Sequence, residues 1–498
     1  MKDLRLQPAL ALAVVLLFFN QLACAELKLP AVFGDNMVLQ QQQRVPVWGW
    51  SEPGAEVIVK FSGQIKSTHA DASGKWVVRL ARLKASADPQ TLTIESGPTV
   101  SFTNVLVGEV WLCSGQSNME KPIGEQPGQK PVFNHVAELA GSDYPQIRLF
   151  KIDRVLSASP LADLQTSSGW RSCNSNSLEG TKFSAAAYFF GREIHTNLDV
   201  PVGLVESSWG GTKIEPWTPP VGFEQVPSLA QLATPKIPLD KIPNTTPTVI
   251  YNAMIAPIAG FAIRGALWYQ GESNCMGGTN DYDYRTYASK MIAMVDGWRA
   301  VWDEGDFPFY FVQIAPFKYY SGKIPRVPSP QTLPEFWTIQ SHAARCLRNS
   351  GIVVTTDLVN DLDDIHPSDK QDVGHRLALL ARNKTYGQNI VSSGPTLWDM
   401  KIKGDRIVLT FNHDDGGLIS KDGGPLTWFT IAGADGKFVP AEARIVGGTV
   451  EVFAQGIKDP AAVRFAWDET AQPNLVNGAG LPAEPFRTDL LHTDDPAK

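Results

Sequence analysis

The chain lacks an excess of positive charge. Its 498 residues include 44 Lys and Arg against 51 Asp and Glu, which gives a formal net charge of −7 at pH 7. Nucleic acids are recruited by a basic surface, so a nucleic-acid-binding function is excluded as a class. Cysteine is sparse at five residues, and none of them has the spacing of a metal-ligand set. We therefore expect a protein that works without a metal or another cofactor.

Long apolar runs are absent after the first 25 residues, so no membrane-spanning segment is expected beyond them. Residues 1–25 have the layout of a signal peptide, with a basic start, a short apolar run and small residues for cleavage: Lys2, Arg5, Ala9–Phe19 and Ala23-Cys24-Ala25. Cys24 leaves a lipoprotein anchor open as an alternative, although Gln21 stands where such a signal normally has an aliphatic residue. We expect cleavage near Ala25 and export to the periplasm or the medium.

Cleavage at that point leaves four cysteines: Cys113, Cys173, Cys275 and Cys346. An even number in an exported protein permits two disulfides, with three possible connectivities. Cys113 lies in an apolar strand, where a buried free thiol is the simpler interpretation.

Two regions of the chain are typical of antiparallel β-sandwiches. Residues 26–104 contain short strand-like runs such as VPVWGW, EVIVKF and KWVVRL, separated by Gly, Pro, Ser and Asp. Residues 394–498 show the same pattern of short strand-like runs, such as RIVLTF, LTWFTI and TVEVFA. Whether the two regions pack together or form separate modules is open.

Residues 105–393 have a different pattern of apolar residues. Near-continuous apolar strands such as VLVGEVWL, GALWYQG and FYFVQIA alternate with segments whose apolar residues recur at helical spacing: Ser184–Leu198, Tyr284–Trp302, Leu333–Leu347 and Ser368–Thr385. This alternation predicts an α/β domain built on a doubly wound, mostly parallel sheet. The Pro-rich stretch 219–247 is typical of an excursion of the chain away from the domain, or of a lid, rather than of the hydrophobic core.

Polar clusters follow four of these strands: Ser117, Gly210-Gly211, Gln270–Asn274 and Asp363–His366. Active sites of such sheets lie at the carboxyl ends of the strands, so we expect these clusters to meet. Ser117 stands at the tip of a small-residue turn in VLVGEVWLCSGQSNM (105–119), where an α/β enzyme holds a nucleophile. Met119 replaces the second glycine of a G-x-S-x-G elbow, so this motif alone leaves a simple polar turn open.

A nucleophilic serine needs a base that removes its proton. His366, in NDLDDIHPSDK, is the candidate base. Asp363 stands three residues earlier, close enough within one turn to fix the tautomer of the imidazole and stabilise its protonated form. Asp364 competes for the same role, and Asp357 is a weaker candidate.

Ester cleavage also needs donors for the developing oxyanion. The glycines of WGGT (209–212) offer N–H groups that approach closely because glycine has no Cβ. WYQGESN (268–274) offers the side-chain amides of Gln270 and Asn274, and Glu272 is interpreted as a buried acid that positions this loop. Four aromatic residues are candidates for a sugar-stacking wall, although packing is the simpler interpretation of each one alone: Trp209, Trp217, Trp268 and Tyr269.

Together these motifs resemble the sialate O-acetylesterase family, a branch of the SGNH hydrolases: GQSNM (115–119), WGGT (209–212), WYQGESN (268–274) and DDIHP (363–367). LPAVFGDNMVLQQ (29–41) and VPVWGW also look like the exported bacterial members, so the resemblance covers nearly all of the chain after residue 25. It implies an SGNH-like, flavodoxin-like α/β domain flanked by the two β regions. It also implies that Ser117 is the nucleophile and His366 the base.

The oxyanion donors implied by the resemblance are the Ser117 N–H, the N–H of Gly210 or Gly211, and a side-chain amide. Many SGNH hydrolases carry Asn in a G-x-N-D block, whereas this chain has Q-G-E-S-N. Gln270 is therefore our first choice for the amide and Asn274 the second.

The function implied is that of a metal-independent serine esterase that removes O-acetyl groups from glycans through an acetyl-enzyme. Acetylated sialic acid and plant wall polysaccharides such as xyloglucan or xylan are both open as substrates. One alternative is a glycoside hydrolase that pairs Glu272 with an aspartate. Another is a non-catalytic carbohydrate-binding protein built on the β regions. No pattern predicts the oligomeric state.

Overall fold

The computed structural model describes residues 27–236, 241–277 and 283–489. The predicted signal peptide at residues 1–25 lies outside these described residues and stays a prediction. Among the helices that are described, none combines the length and the apolar character needed to cross a membrane.

The N-terminal region contains the strands β1 (Val38–Gln40), β2 (Val45–Trp50), β3 (Glu56–Phe61), β4 (Gln64–His69), β5 (Lys75–Leu80) and β6 (Ser86–Glu95) and the first part of β7 (Thr99–Gly115). Strand β7 changes character along its length. Residues 99–104 alternate between exposed and half-buried, as in a sheet with one solvated face, whereas residues 105–115 are buried without interruption. The boundary expected at residue 104 therefore lies inside one continuous strand that joins the N-terminal region to the central sheet.

The central sheet adds six strands: β8 (Tyr144–Lys151), β9 (Arg171–Cys173), β10 (Val202–Ser208), β11 (Gly265–Tyr269), β12 (Phe309–Val312) and β13 (Ser350–Val353). Their order is β13-β12-β11-β7-β10-β8-β9, and every pair is parallel except β8 with β9. The path β10-β7-β11-β12-β13 has the 2-1-3-4-5 order of flavodoxin-like sheets. The predicted doubly wound sheet is confirmed, and its strand order reverses at β7.

The α-helices are α1 (Ser117–Glu120), α2 (His135–Ala140), α3 (Ser175–Thr181), α4 (Ala185–Leu198), α5 (Pro220–Glu224), α6 (Glu272–Cys275), α7 (Tyr287–Trp302), α8 (Thr332–Cys346) and α9 (Gln371–Leu380). Short segments of 3-10 or π-helix lie at Glu215–Trp217, Pro227–Ala233, Tyr251–Ile255, Ala256–Ile258, Asp283–Thr286 and Ala381–Thr385. Helices α4 and α9 pack in one core and α7 and α8 in the other. All four predicted helices are present, with ends shifted by up to three residues except at the carboxyl end of α9, where Ala381–Thr385 is π-helical.

The described part of the Pro-rich stretch 219–247 is packed rather than open. Phe223, Leu229 and Ala233 are buried against Ala293 of α7. Gly222 makes this close approach possible, because a Cβ there would lie 2.0 Å from the Ala293 carbonyl oxygen. The expectation of a lid is therefore wrong for these residues.

The C-terminal region forms β14 (Thr396–Lys403), β15 (Arg406–Asn412), β16 (Leu418–Ser420), β17 (Phe429–Gly433), β18 (Val439–Pro440), β19 (Glu442–Val446), β20 (Thr449–Phe453), β21 (Pro460–Phe465), β22 (Leu475–Asn477) and β23 (Phe486–Arg487). The strand pairs are antiparallel and enclose a separate hydrophobic core. The N-terminal strands instead share a core with α7 and α8. The two β regions are thus built differently, one continuous with the central sheet and one a module of its own.

The four cysteines of the described chain are free thiols, so neither of the permitted disulfides is present. Cys113 and Cys275 are fully buried, and burial raises the pKa of each thiol well above its ordinary value. Both are therefore protonated core residues.

Candidate active site

Ser117 lies at the carboxyl end of β7, on the first residue of α1. The turn before it requires glycine, because Gly115 has φ +143° and a Cβ there would lie 2.2 Å from the Tyr269 carbonyl oxygen. The Gln116 N–H donates to the same oxygen at 3.0 Å. This close contact between β7 and β11 directs the serine out of the sheet at its carboxyl edge, as the motif predicted.

His366 meets Ser117 from the loop between β13 and α9. Its Nε2 lies 2.9 Å from the Ser117 Oγ. Burial, followed by the positive charges of Lys370 and Lys121, lowers the pKa of His366 to about 4. The imidazole is therefore neutral near pH 7 and able to accept the hydroxyl proton, which is the protonation state a general base requires.

The acid beside this histidine is Asp364. Its Oδ1 accepts the backbone N–H of His366 at 2.9 Å and lies 3.8 Å from Nδ1 of the imidazole. Asp363 instead faces solvent, with 70% of its side chain exposed, and pairs with Lys318 at 2.9 Å. The expectation that Asp363 contacts the imidazole is not met.

A turn explains this outcome. The Asp361 carboxylate accepts the N–H of Asp363 at 2.9 Å, and the Asp361 carbonyl accepts the N–H of Asp364 at 3.2 Å. This side-chain-stabilised turn leaves the Asp363 side chain in solvent, whereas the three-residue spacing predicts a contact with the imidazole within one turn. The weaker candidate, Asp357, is bound by Arg376 at 2.7 and 2.8 Å.

The WGGT loop brings backbone N–H groups next to the serine. A Cβ on Gly210 would lie 3.2 Å from the Ser117 Cβ, so only glycine lets the two loops approach without displacement. The Gly210 N–H donates to Oε2 of Glu120 at 2.9 Å. The Ser117 N–H has no acceptor among the described residues. Gly211 is exposed, with φ +77°.

The two side-chain amides expected as oxyanion donors are both fully buried. The Nε2 of Gln270 lies within hydrogen-bond distance of Gln116 Oε1 (3.0 Å), Thr212 O (3.1 Å) and Asn274 Oδ1 (2.8 Å). The Nδ2 of Asn274 donates to Glu215 at 3.1 Å. Through these hydrogen bonds the two amides hold the WGGT and QGESN loops together. Because buried polar groups are paired in this way, neither amide is available to a substrate in this arrangement.

Three of the four candidate stacking residues belong to the core. Trp217, Trp268 and Tyr269 are 0 to 1% exposed, so the expectation that they form a sugar-binding wall is wrong. Trp209 is half-buried, and the guanidinium of Arg154 lies 5.9 Å from the centre of its ring. Arg154 also binds Oε1 of Glu120, with its Nε at 2.8 Å.

Glu272 is buried as expected. Its Oε1 accepts the Asn118 amide at 2.6 Å, while its Oε2 has no hydrogen-bond partner among the described residues. Burial raises the pKa of this carboxyl. A glycoside hydrolase needs two carboxyl groups that reach the sugar, so this enclosed acid gives no support to that alternative.

Four residues of the site were not singled out by the sequence: Asn118, Glu120, Arg154 and Lys370. Asn118 stands inside GQSNM and Glu120 directly after it, so proximity to the motif was the available signal. Arg154 and Lys370 carry no local pattern that distinguishes them from surface cations.

Comparison with known proteins agrees with this geometry. Residues 107–382 match the model of a family described as "Carbohydrate esterase, sialic acid-specific acetylesterase". The human sialate O-acetylesterase is 31% identical over 78% of this chain and 77% of its own length, and the mouse protein 29% identical over 93% and 94%. A crystal structure of a carbohydrate acetylesterase from Xanthomonas citri covers 93% of this chain and 100% of its own, at 36% identity and a TM-score of 0.82. The chain belongs to the carbohydrate esterase family of sialic acid-specific acetylesterases.

Proposed function

We propose that this carbohydrate esterase removes O-acetyl groups from glycans by the attack of Ser117 on the acetyl carbonyl. His366 takes the serine proton and then delivers it to the departing sugar oxygen, which leaves an acetyl group on Ser117. A water molecule, deprotonated by the same imidazole, releases acetate. The observation that carries this proposal is the 2.9 Å contact between Ser117 Oγ and a neutral His366.

Asp364 is the acid in this proposal, in place of Asp363. Its carboxylate contacts the backbone of His366 and lies 3.8 Å from the imidazole. It therefore acts mainly through its charge, which stabilises the imidazolium that forms during attack. The charge of Asp364 raises the pKa of His366, against the larger effects of burial and of two lysines.

Two backbone N–H groups are the proposed oxyanion donors. The Ser117 N–H needs no exchange of partners. The Gly210 N–H must leave the Glu120 carboxylate, to which it donates at 2.9 Å, before it can reach the substrate oxygen. Gly211 remains the alternative for the second donor.

The substrate is an acetylated carbohydrate, and both acetylated sialic acid and neutral wall polysaccharides stay as candidates. Burial of Trp217, Trp268 and Tyr269 removes the main support for an aromatic cleft suited to neutral chains. Arg154, half exposed beside Trp209, supports an anionic sugar. Acetate release from acetylated sialic acid, xylan, xyloglucan and pectin compares these candidates directly.

Export is part of the proposal and rests on the layout of residues 1–25. Sequencing of the mature amino terminus is expected to find it near Glu26.

The nucleophile is tested with Ser117→Ala. We expect nearly all activity on an aryl acetate to be lost, because without its hydroxyl the site cannot form the acetyl-enzyme. Ser101→Ala, an exposed serine on the first part of β7, is the matched control and should keep full activity. Retained esterase activity in Ser117→Ala would overturn the proposal.

A further inference from the structure

Three polar side chains are enclosed beneath the Ser117–His366 pair: Asn118, Glu272 and Lys370. Each is at most 1% exposed. The Asn118 amide donates to Glu272 Oε1 at 2.6 Å, and the Asn118 carbonyl accepts from Lys370 Nζ at 2.9 Å. We call this set the buried bridge.

The buried bridge binds the backbone on both sides of His366. The Asn118 amide also donates to the Ile365 carbonyl at 3.0 Å, and Lys370 Nζ also donates to the Pro367 carbonyl at 2.9 Å. Since Asn118 directly follows Ser117, the same side chain holds the loop of the nucleophile and the loop of the base. These contacts constrain the distance between the two reacting groups.

A buried lysine is costly, so its presence calls for a reason. Removing a charge from water carries a large penalty that imperfect pairing does not offset. Burial, followed by the charge of Lys121, lowers the pKa of Lys370 to about 7. An apolar side chain such as methionine would fill the space at lower cost, and strongly perturbed groups of this kind cluster at functional sites.

We propose that Lys370 is a positioning residue for the acyl transfer, which through Asn118 and the Pro367 carbonyl holds the His366 imidazole on Ser117. The proposal rests on the proposed roles of Ser117 and His366. The Asp364 carboxylate lies 3.8 Å from the imidazole and does not hold the ring in place by a hydrogen bond. The buried bridge, through Lys370, orients the imidazole instead.

The charge of Lys370 gives this role a measurable signature. The charged groups that act on His366 are Lys370 and Lys121, which lower its pKa, and Asp364, which raises it. Removal of the Lys370 charge makes protonation of the imidazole easier, so the pKa of His366 rises. The acidic limb of kcat/KM then moves to higher pH, because kcat/KM follows the protonation of the free enzyme.

The test compares the full-length variants Lys370→Met and Lys370→Gln with wild type on an aryl acetate. We expect Lys370→Met to lower kcat by about 10²-fold with little change in KM, since misplacement of a reacting group by about 1 Å costs this much. Lys370→Gln keeps a donor without the charge, so it should recover part of kcat while its acidic limb stays at higher pH. Lys384→Met is the control, because Lys384 also donates to a backbone carbonyl, that of Ser350, at the other end of β13.

Folding is checked by thermal unfolding of each variant. An unmoved acidic limb in both folded variants overturns the proposal, and so does failure of both to fold, which would make Lys370 a folding residue. Activity that survives Ser117→Ala would overturn the proposed function itself. Loss in Ser117→Ala together with wild-type behaviour of the Lys370 variants would reject only the positioning role.

Discussion

The Asp364 carboxylate lies closer to the backbone of His366 than to the imidazole of His366. Its Oδ1 accepts the His366 backbone N–H at 2.9 Å and lies 3.8 Å from the imidazole Nδ1. In a Ser-His-Asp triad the carboxylate accepts a hydrogen bond from the Nδ1–H of the imidazole and thereby fixes the tautomer. Here the carboxylate is offset, and the fixed position of the imidazole comes from the backbone contacts on either side of it. This site is therefore closer to a Ser117–His366 dyad with a nearby negative charge.

Asp364→Asn should lower kcat by about tenfold or more, because about 1.4 kcal/mol of lost charge stabilisation corresponds to a tenfold rate. Loss of the negative charge also lowers the pKa of His366 further, so the acidic limb of kcat/KM should move to lower pH. Steady-state kinetics as a function of pH measure both effects. The shift is opposite in sign to that expected for Lys370→Met.

The matched control is Asp363→Asn, which removes the carboxylate at the D-x-x-H position. Asp363 is exposed and pairs with Lys318, and exposed ion pairs contribute little to stability. We expect wild-type kinetics from this variant. A larger loss in Asp363→Asn than in Asp364→Asn would contradict the assignment of the acid.

Glu120→Gln tests whether Arg154 contacts the substrate. Glu120 binds Arg154 through Oε1 and the Gly210 N–H through Oε2. The glutamine retains an acceptor for Gly210 but removes the negative charge that competes with a substrate carboxylate for Arg154. The ratio of kcat/KM for acetylated sialic acid to that for acetylated xylan should rise by about tenfold, in line with a charge-assisted hydrogen bond.

Arg154→Gln is the companion variant and should lower the same ratio. An unchanged ratio in both variants would show that the guanidinium does not contact the sugar. In that case the Glu120–Arg154 pair serves only to hold the WGGT loop.

Gly210→Ala tests the close approach of the WGGT loop to the nucleophile. The added Cβ would lie 3.2 Å from the Ser117 Cβ and 3.1 Å from Glu120 Oε2, so the oxyanion donor or the serine must shift. We expect kcat to fall by about 10²-fold, the effect of losing one oxyanion donor, with little change in the unfolding temperature. Gly180→Ala on α3, where the added Cβ meets nothing within 4 Å, is the control. Equal activity of both variants would remove Gly210 from the oxyanion site.

The contact between Ser117 and His366 was predictable because it depends on topology. Each residue follows a buried strand, and parallel strands bring their carboxyl ends to one edge of a sheet. The four long helices were predictable for a similar reason, since their apolar periodicity reports the face they bury. Features set by the order of strands and by burial were therefore accessible from the sequence.

The hydrogen bonds of the site were not predictable in this way. Asp363 was expected at the imidazole from its spacing, but a carboxylate three residues upstream of Asp364 folds the loop into a turn. Gln270 is expected at the oxyanion, but its buried amide nitrogen lies within hydrogen-bond distance of Gln116, Thr212 and Asn274 instead. The contacts of Gln270 with Gln116 and Thr212 join residues 154 and 58 positions apart in the chain, and no local pattern encodes them. The turn at Asp361 is local, but the D-x-x-H spacing alone does not distinguish it from a contact with the imidazole.

Asp357, the weaker candidate acid, links the central domain to the C-terminal region. Arg376 and Lys421 bind its carboxylate at 2.7 to 2.8 Å, and its side chain is 4% exposed. Burial alone raises its pKa, but the hydrogen bonds and charges of Arg376 and Lys421 outweigh this, and the net shift is downward. The stability that this shift contributes is present above the ordinary aspartate pKa of 3.8 and is lost as the pH falls through the lower pKa of the folded state.

Asp357→Asn should therefore destabilise the protein by about 3–5 kcal/mol near neutral pH, because it leaves the buried Arg376 without its counter-charge. The difference from wild type should shrink as the pH falls below the ordinary aspartate range, since wild type then loses the same charge by protonation. Denaturant unfolding at neutral and acidic pH measures this difference. Asp405→Asn, at an exposed position next to Arg406, is the control and should change stability by less than about 1 kcal/mol. If the difference in the free energy of unfolding between wild type and Asp357→Asn did not change with pH, the packing of the Asp357 side chain rather than its charge would hold the two regions together.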